Sequence, residues 1–154
     1  MLPVPETLLP YIRSLADDPD LWQPYVRFDH VSRHWSRLPS RGDVDIWLLT
    51  WLPDQRTELH DHGDSAAALT VVQGRLTEVR AHRSGTFADV DVGVGDASWV
   101  APGVVHDVVN RSSQPAVSIH AYSPRLTRMT FWQVGRGTLL PARTVLTDQP
   151  EAAA

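Results

Sequence analysis

An all-β, closed barrel preceded by a short N-terminal helical cap is the fold that this 154-residue sequence predicts. Three observations carry the expectation. Residues 5–27 hold apolar side chains near helical spacing, and from Val44 onward short β-like runs are separated by turn signals at even intervals. Between two of those runs lies His60-Asp61-His62, with its imidazoles at alternate positions. Short, evenly spaced strands favour a closed double-stranded barrel, which removes exposed sheet edges and holds small ligands in its mouth or interior. Chain length suits one domain covering 1–154, with the cap at about 5–27 and the barrel at about 44–147.

In chain order, Leu8, Leu9, Ile12 and Leu15 give the first helix its apolar face, Pro5 suits a first turn, and Asp17-Asp18-Pro19 closes the segment. A second short helix is expected over 20–26. Residues 28–41 mix His30, Arg33, His34, Trp35 and Arg37 ahead of a turn at Ser40–Asp43, and read either as a pocket wall or as a surface strand or loop with solvated arginines. The first barrel strand is expected over 44–52, with Trp47 and Trp51 packed inside, and further strands over 66–72, 75–82, 86–92, 97–100, 107–110, 117–122, 129–134 and 139–146. Turns fall at Gln73-Gly74, Arg83-Ser84-Gly85, Gly93–Asp96, Pro102-Gly103, Arg111-Ser112-Ser113 and Gly135-Arg136-Gly137. The tail 149–154 is expected to fray.

Composition excludes several classes of function. The net charge of −4 comes without clustered lysine and arginine, which argues against a nucleic-acid or anionic-membrane partner, because phosphate binding draws on such clusters. No cysteine is present, so disulfides, a thiolate nucleophile and zinc–thiolate sites drop out, as fits a reducing compartment. The first residues lack the basic region and apolar core of a secretion signal, and no run approaches a membrane span. A cytoplasmic monomer or small homo-oligomer acting on a small molecule is expected.

The chemistry concentrates in the histidines. On an extended strand residues i and i+2 share a face, so His60 and His62 can offer their rings to one metal ion; in a polar turn the same pair would be solvated. His106, after Ala101-Pro102-Gly103 and before a further strand, tips the balance toward a three-imidazole metal site. Nitrogen ligands alone admit zinc, nickel, copper, manganese or iron. Asp61 and Asp107, next to presumed ligands, point off the metal face and are expected at the solvent. Ser118, His120 and Tyr122 also share one strand face, so a hydroxyl, an imidazole and a phenol can hydrogen-bond in a line. Taken alone, His120 reads as a core histidine. His30, His34 and His82 receive no role.

On these residues the chain resembles a cupin, a double-stranded β-helix or jelly-roll barrel, and within the cupins it is similar to the iron-dependent thiol dioxygenases of the cysteine dioxygenase family. The likeness covers roughly residues 28–131. His60-Asp61-His62 with Gly74 resembles the first cupin motif, and Gly95-Asp96 through His106 the second, its proline one place late. The first motif's glutamate falls on Ala67, which leaves the three-histidine ligand set that those dioxygenases use. Ala116 to Pro124 resembles the family's serine-histidine-tyrosine relay. Without cysteine, the crosslink that some members form to the relay tyrosine is excluded.

The resemblance implies an Fe(II) cofactor on His60, His62 and His106, and addition of O2 to the sulfur of a small thiol, foremost L-cysteine, giving a sulfinic acid. It implies Tyr122, His120 and Ser118 as the catalytic relay. The family's Tyr-x-Arg, whose arginine grips the substrate carboxylate, best matches Trp35-Ser36-Arg37, making Trp35, Arg37 and Tyr122 the substrate-binding residues, with Arg33 as rival to Arg37. Two other readings stand beside it: a dioxygenase for 3-mercaptopropionate or another small thiol, and a non-catalytic metal-binding cupin.

Overall fold

The computed structural model describes residues 5–150. Helix α1 (Pro5–Ala16) buries Leu8 and Ile12, one turn apart, and carries Glu6 in its first turn and Arg13 in its last, as the helix dipole favours. Pro10 removes one backbone hydrogen bond from this helix, which packing against the sheet behind it offsets. The expected second helix is divided into α2 (Pro19–Trp22) and a 3-10 turn over Gln23–Tyr25, because Pro24 has no N–H to continue the α pattern. Trp22 is buried, and its indole N–H donates to the Ala16 carbonyl at 3.1 Å, tying the cap together.

Among the described residues eleven strands, numbered in chain order, form two antiparallel sheets. The first, in the order β1-β2-β9-β4-β7, comprises Trp35–Leu38, Asp45–Trp51, Ala116–Ser123, Ala66–Gln73 and Ala97–Val100. The second, in the order β11-β10-β3-β8-β5-β6, comprises Thr138–Leu146, Arg128–Gly135, His60–Asp61, His106–Val109, Arg75–Ala81 and Phe87–Gly93. All nine expected strands form, each within a residue of its expected bounds.

Both faces of the first sheet are covered. Ile46, Leu48, Val117, Ile119 and Ala121 pack outward against Leu8, Ile12 and Trp22 of the cap. Trp47, Leu49, Trp51, Leu69 and Val71 pack inward against Leu76, Val92, Val108, Met129 and Phe131 of the second sheet. Every residue of β2 is therefore buried, which is why that strand reads as a continuous apolar run rather than an alternation. The β4–β5 turn needs Gly74: its φ is +75°, and a Cβ there would stand 2.4 Å from the Pro115 carbonyl oxygen.

Two strands and the tail differ from expectation. The barrel begins at β1, inside the stretch 28–41, before position 44. Strand β3 has only two residues, too few to show a period, and is held from both sides by β8 and β10. Pro150 is buried rather than frayed, while 151–154 lie outside the described residues. No helix among the described residues is long and apolar enough to cross a membrane.

Candidate metal centre

His60 and His106 are directly opposed partners across β3 and β8, and His62 follows β3 immediately. The rings converge, with centroid separations of 4.8 Å for His60–His62, 4.8 Å for His60–His106 and 5.0 Å for His62–His106. One ligand atom from each lies within 4.8 Å of the others, and all three side chains are buried. The structure therefore brings together the three histidines singled out from the sequence.

Their hydrogen bonds settle which nitrogens face inward. The Glu58 carbonyl can only accept, so His60 Nδ1 carries the proton and donates to it at 2.7 Å. Glu78 Oε2 accepts from His106 Nδ1 at 2.8 Å in the same way. With Nδ1 protonated, a neutral imidazole has its lone pair on Nε2. His60 Nε2 lies 3.1 Å from His62 Nε2, a spacing at which two lone pairs repel unless a proton or a cation lies between them. Burial, then the charge of neighbouring histidines, pushes His62 well below the usual histidine pKa. Burial likewise lowers His106, although Glu78 opposes the shift. Buried and nitrogen-only, with His60 and His106 anchored from behind, this donor set fits a first-row transition ion.

Glu78 is the functional residue that sequence reasoning missed. It lies on β5 with its side chain on the same face as core residue Leu76 and is 1% exposed. Burial would raise its pKa, but the hydrogen bond and charge of His106, the Ser98 hydroxyl and the Arg80 guanidinium outweigh that and hold it at about 2. Ser98 Oγ donates to Glu78 Oε1 at 2.6 Å, and Arg80 Nε donates to the same oxygen at 3.4 Å. Both carboxylate oxygens are thereby fixed.

Beside the triad, a small cavity is lined by Arg33, His60, His106, His120, Tyr122 and Pro150, among others. The Tyr122 ring centroid lies 5.0 Å from that of His62. The Trp51 indole N–H donates to Ser118 Oγ at 2.9 Å, and Ser118 Oγ stands 2.8 Å from His120 Nε2. Because the buried serine already accepts from Trp51, its own proton is satisfied by donating to His120 Nε2, which puts the histidine proton on Nδ1. Burial, above all, keeps His120 neutral, with a pKa lowered to about 3. Trp51 is thus both core, as expected, and the anchor of the serine; the signal was its indole N–H, which needs an acceptor once buried.

The structure places the two candidate arginines differently. Arg37 does not line the cavity: on edge strand β1 it is cross-strand partner to Trp47, its guanidinium lies 4.4 Å over that indole, and its Nη2 donates to the Asp148 carbonyl at 3.0 Å. Trp35, two residues earlier, packs edge-on against Trp47 with a centroid separation of 4.8 Å and is likewise absent from the cavity wall. Arg33 does line it; the residue is 3% exposed, with its guanidinium 4.7 Å over the Trp51 ring.

Asp61 and Asp107 face away from the triad as alternation requires, yet both are buried. Asp61 accepts from the Trp132 indole at 2.9 Å and from the Gly63 N–H at 2.8 Å, and Asp107 pairs with Arg56. His30 and His82 are exposed, and His34 Nε2 meets Ser36 Oγ at 3.2 Å outside the cavity.

Comparison with known proteins agrees with this geometry. A family model described as cysteine dioxygenase type I matches residues 7–133. The chain is 27% identical over 133 residues to cysteine dioxygenase type 1 of Homo sapiens, an alignment covering 73% of this chain and 62% of that protein. To the Danio rerio protein of the same name it is 26% identical over 148 residues, covering 79% and 73%. The chain thus spans about three fifths of the length of the human relative. Among solved structures, a conserved protein with a double-stranded β-helix domain from Klebsiella pneumoniae has a TM-score of 0.57 at 20% identity, covering 79% of this chain and 93% of that one. A Cupin 2 conserved barrel domain protein from Salinispora arenicola has a TM-score of 0.52 at 19% identity, covering 66% and 83%. The architecture is that of the cupin double-stranded β-helix. With most of its length matched by the family model, the chain belongs to the cysteine dioxygenase type I family.

Proposed function

We propose that this protein is a mononuclear non-haem iron(II) thiol dioxygenase that adds both atoms of O2 to the sulfur of a small carboxylate-bearing thiol, foremost L-cysteine, giving a sulfinic acid. The observation that carries the reading is the convergence of three buried imidazoles beside a cavity that also holds Arg33, His120 and Tyr122. His60, His62 and His106 would hold the metal. When bound, iron(II) supplies open positions for the substrate sulfur and dioxygen and the redox chemistry that joins them.

The chain's own residues divide the remaining work. Arg33 presents a planar guanidinium suited to a bidentate grip on the substrate carboxylate, and its place over Trp51 fixes the plane of that fork. Tyr122 directs its phenol to the reacting sulfur and oxygen. Trp51 and Ser118 hold His120 in one tautomer, so that His120 presents a donor on Nδ1. Glu58 and Glu78 orient His60 and His106 so that each turns Nε2 to the centre. The surrounding apolar wall, including Leu49, Val108 and Met129, keeps bulk water from the site.

An alternative substrate, 3-mercaptopropionate, keeps both thiol and carboxylate and so engages the same arginine. Cysteamine, which lacks the carboxylate, separates the carboxylate role from the thiol role. Oxygen uptake by iron(II)-loaded protein with these three thiols tests the reading. The proposal expects turnover with a carboxylate-bearing thiol and little with cysteamine; the converse preference would remove Arg33 from the site.

A further inference from the structure

The segment that follows β11 reaches the cavity. Beyond β11, Thr147 N–H donates to the Thr127 carbonyl at 2.9 Å, and Gln149 N–H donates locally to Thr147 Oγ1 at 3.0 Å. Pro150 then buries itself as a wall of the cavity that holds His60, His106 and His120. The remaining cavity volume is about 10 Å³, room for about one water molecule. No thiol carrying a carboxylate fits that space, so a wall must move for substrate to enter. His60, Leu49, His106, Val108, His120, Tyr122 and Met129 all belong to strands paired on both sides; of the lining residues outside the strands, Thr57 exchanges two hydrogen bonds with Val108, each at 2.9 Å, and Arg33 is buried over the Trp51 ring. Pro150 belongs to a segment outside every strand, joined to the barrel from across the fold by Arg37.

That link is suited to opening. Arg37 Nη2 donates to the Asp148 carbonyl at 3.0 Å and stands 3.9 Å from the Asp148 carboxylate, and the two side chains are 46% and 73% exposed. Exposed pairs of this kind hold weakly. The Arg37 guanidinium is itself seated on Trp47, which aims it at the tail.

We propose that residues 148–150 form a strap that swings aside to admit substrate and returns with Pro150 as the wall that sizes it, and that Arg37 is the latch of this strap, a positioning residue rather than a carboxylate clamp. The proposal rests on the reading of the cavity as a thiol site. Arg37, displaced from the role its sequence context suggested, thereby gains one that depends on a contact 111 residues away.

The test uses full-length, metal-free protein treated with diethyl pyrocarbonate, with acylation of each histidine followed by mass spectrometry. His82, exposed and far from the strap in sequence, serves as internal reference. In Arg37→Ala and Pro150→Gly, labelling of His60, His62, His106 and His120 is expected to rise several-fold relative to His82, with unchanged melting temperature; Arg37→Lys, which keeps a donor for the Asp148 carbonyl, is expected to fall back toward the parent rate. In iron-loaded Pro150→Gly, kcat/KM is expected to shift several-fold toward thiols bulkier than cysteine. Labelling rates equal to the parent's in both variants would overturn the strap, and an unchanged thiol preference would overturn the sizing role. Failure of the parent protein to turn over any thiol would instead overturn the functional reading, and the labelling result would still decide whether the tail gates the cavity.

Discussion

Glu78 Oε2 accepts the Nδ1 proton of His106 at 2.8 Å, so a carboxylate absent from the presumed ligand set stands directly behind it. The glutamate position of the first cupin motif, which His60-Asp61-His62 with Gly74 resembles, falls on Ala67. An anion one hydrogen bond away makes His106 a stronger donor and fixes its tautomer. Glu78→Gln keeps the shape and removes the charge, and is expected to weaken metal binding about 10- to 100-fold. Competitive titration of metal-free protein against a chelator checks this. Glu78→Ala leaves His106, Ser98 and Arg80 without their shared acceptor and is expected to cost about 1–3 kcal/mol of stability, read from denaturant midpoints.

Arg33→Ala is expected to lower kcat/KM for carboxylate-bearing thiols by about 10- to 100-fold, consistent with loss of a charged hydrogen bond worth roughly 1.5–3 kcal/mol. The small rate with cysteamine is expected to stay as it is. Steady-state oxygen uptake for the two thiol classes gives the comparison; equal losses for both would mean that Arg33 acts on the fold and not on the carboxylate.

Tyr122→Phe is expected to retain iron and to slow turnover or uncouple oxygen use from product formation. Ser118→Ala removes the acceptor of the Trp51 indole and the donor to His120 together, and is expected to cost about 1–3 kcal/mol as well as activity. Product formed per O2 consumed, measured beside melting curves, separates the two effects.

Much of this was legible because it is local. His60 and His62 lie two apart, Ser118, His120 and Tyr122 occupy alternate positions of one strand, and glycine-containing turns such as Gln73-Gly74 mark strand ends. What escaped depends on distant partners. Thr77-Glu78-Val79-Arg80 reads as a half-solvated strand, and only its pairing beside β8 places Glu78 against His106. Asp61 and Asp107 were expected at the solvent because nothing near them in sequence announces Trp132 or Arg56. Arg37 matches a motif spacing better than Arg33, but β1 seats it on Trp47 at the sheet edge and Arg33 precedes that strand, over Trp51. Two-residue β3 offers no period at all.

The buried histidines also set an acid limit on stability. His120 is lowered from 6.5 to about 3, so the unfolded chain takes up a proton below pH 6.5 that the folded protein refuses until about pH 3. Stability of the metal-free protein is therefore expected to fall as pH drops through that window, by up to about 1.4 kcal/mol per pH unit for this group. His62, also lowered by burial, adds to the slope. Glu78, lowered from 4.5 to about 2, acts chiefly below pH 4.5, which leaves the interval from 6.5 to 4.5 to the histidines. Urea midpoints over that interval are expected to fall less steeply for His120→Gln than for the parent.

Oxygen uptake by anaerobically iron(II)-reconstituted protein, with product mass recorded in parallel, tests most directly whether O2 oxidises a thiol at a metal held by His60, His62 and His106. With cysteine, 3-mercaptopropionate, cysteamine and ergothioneine offered in turn, the account predicts uptake with a carboxylate-bearing thiol, a product heavier by two oxygen atoms, and loss of both in His62→Ala. Iron-loaded protein that consumes no oxygen with any of these thiols, or that consumes it equally well without His62, would contradict the account.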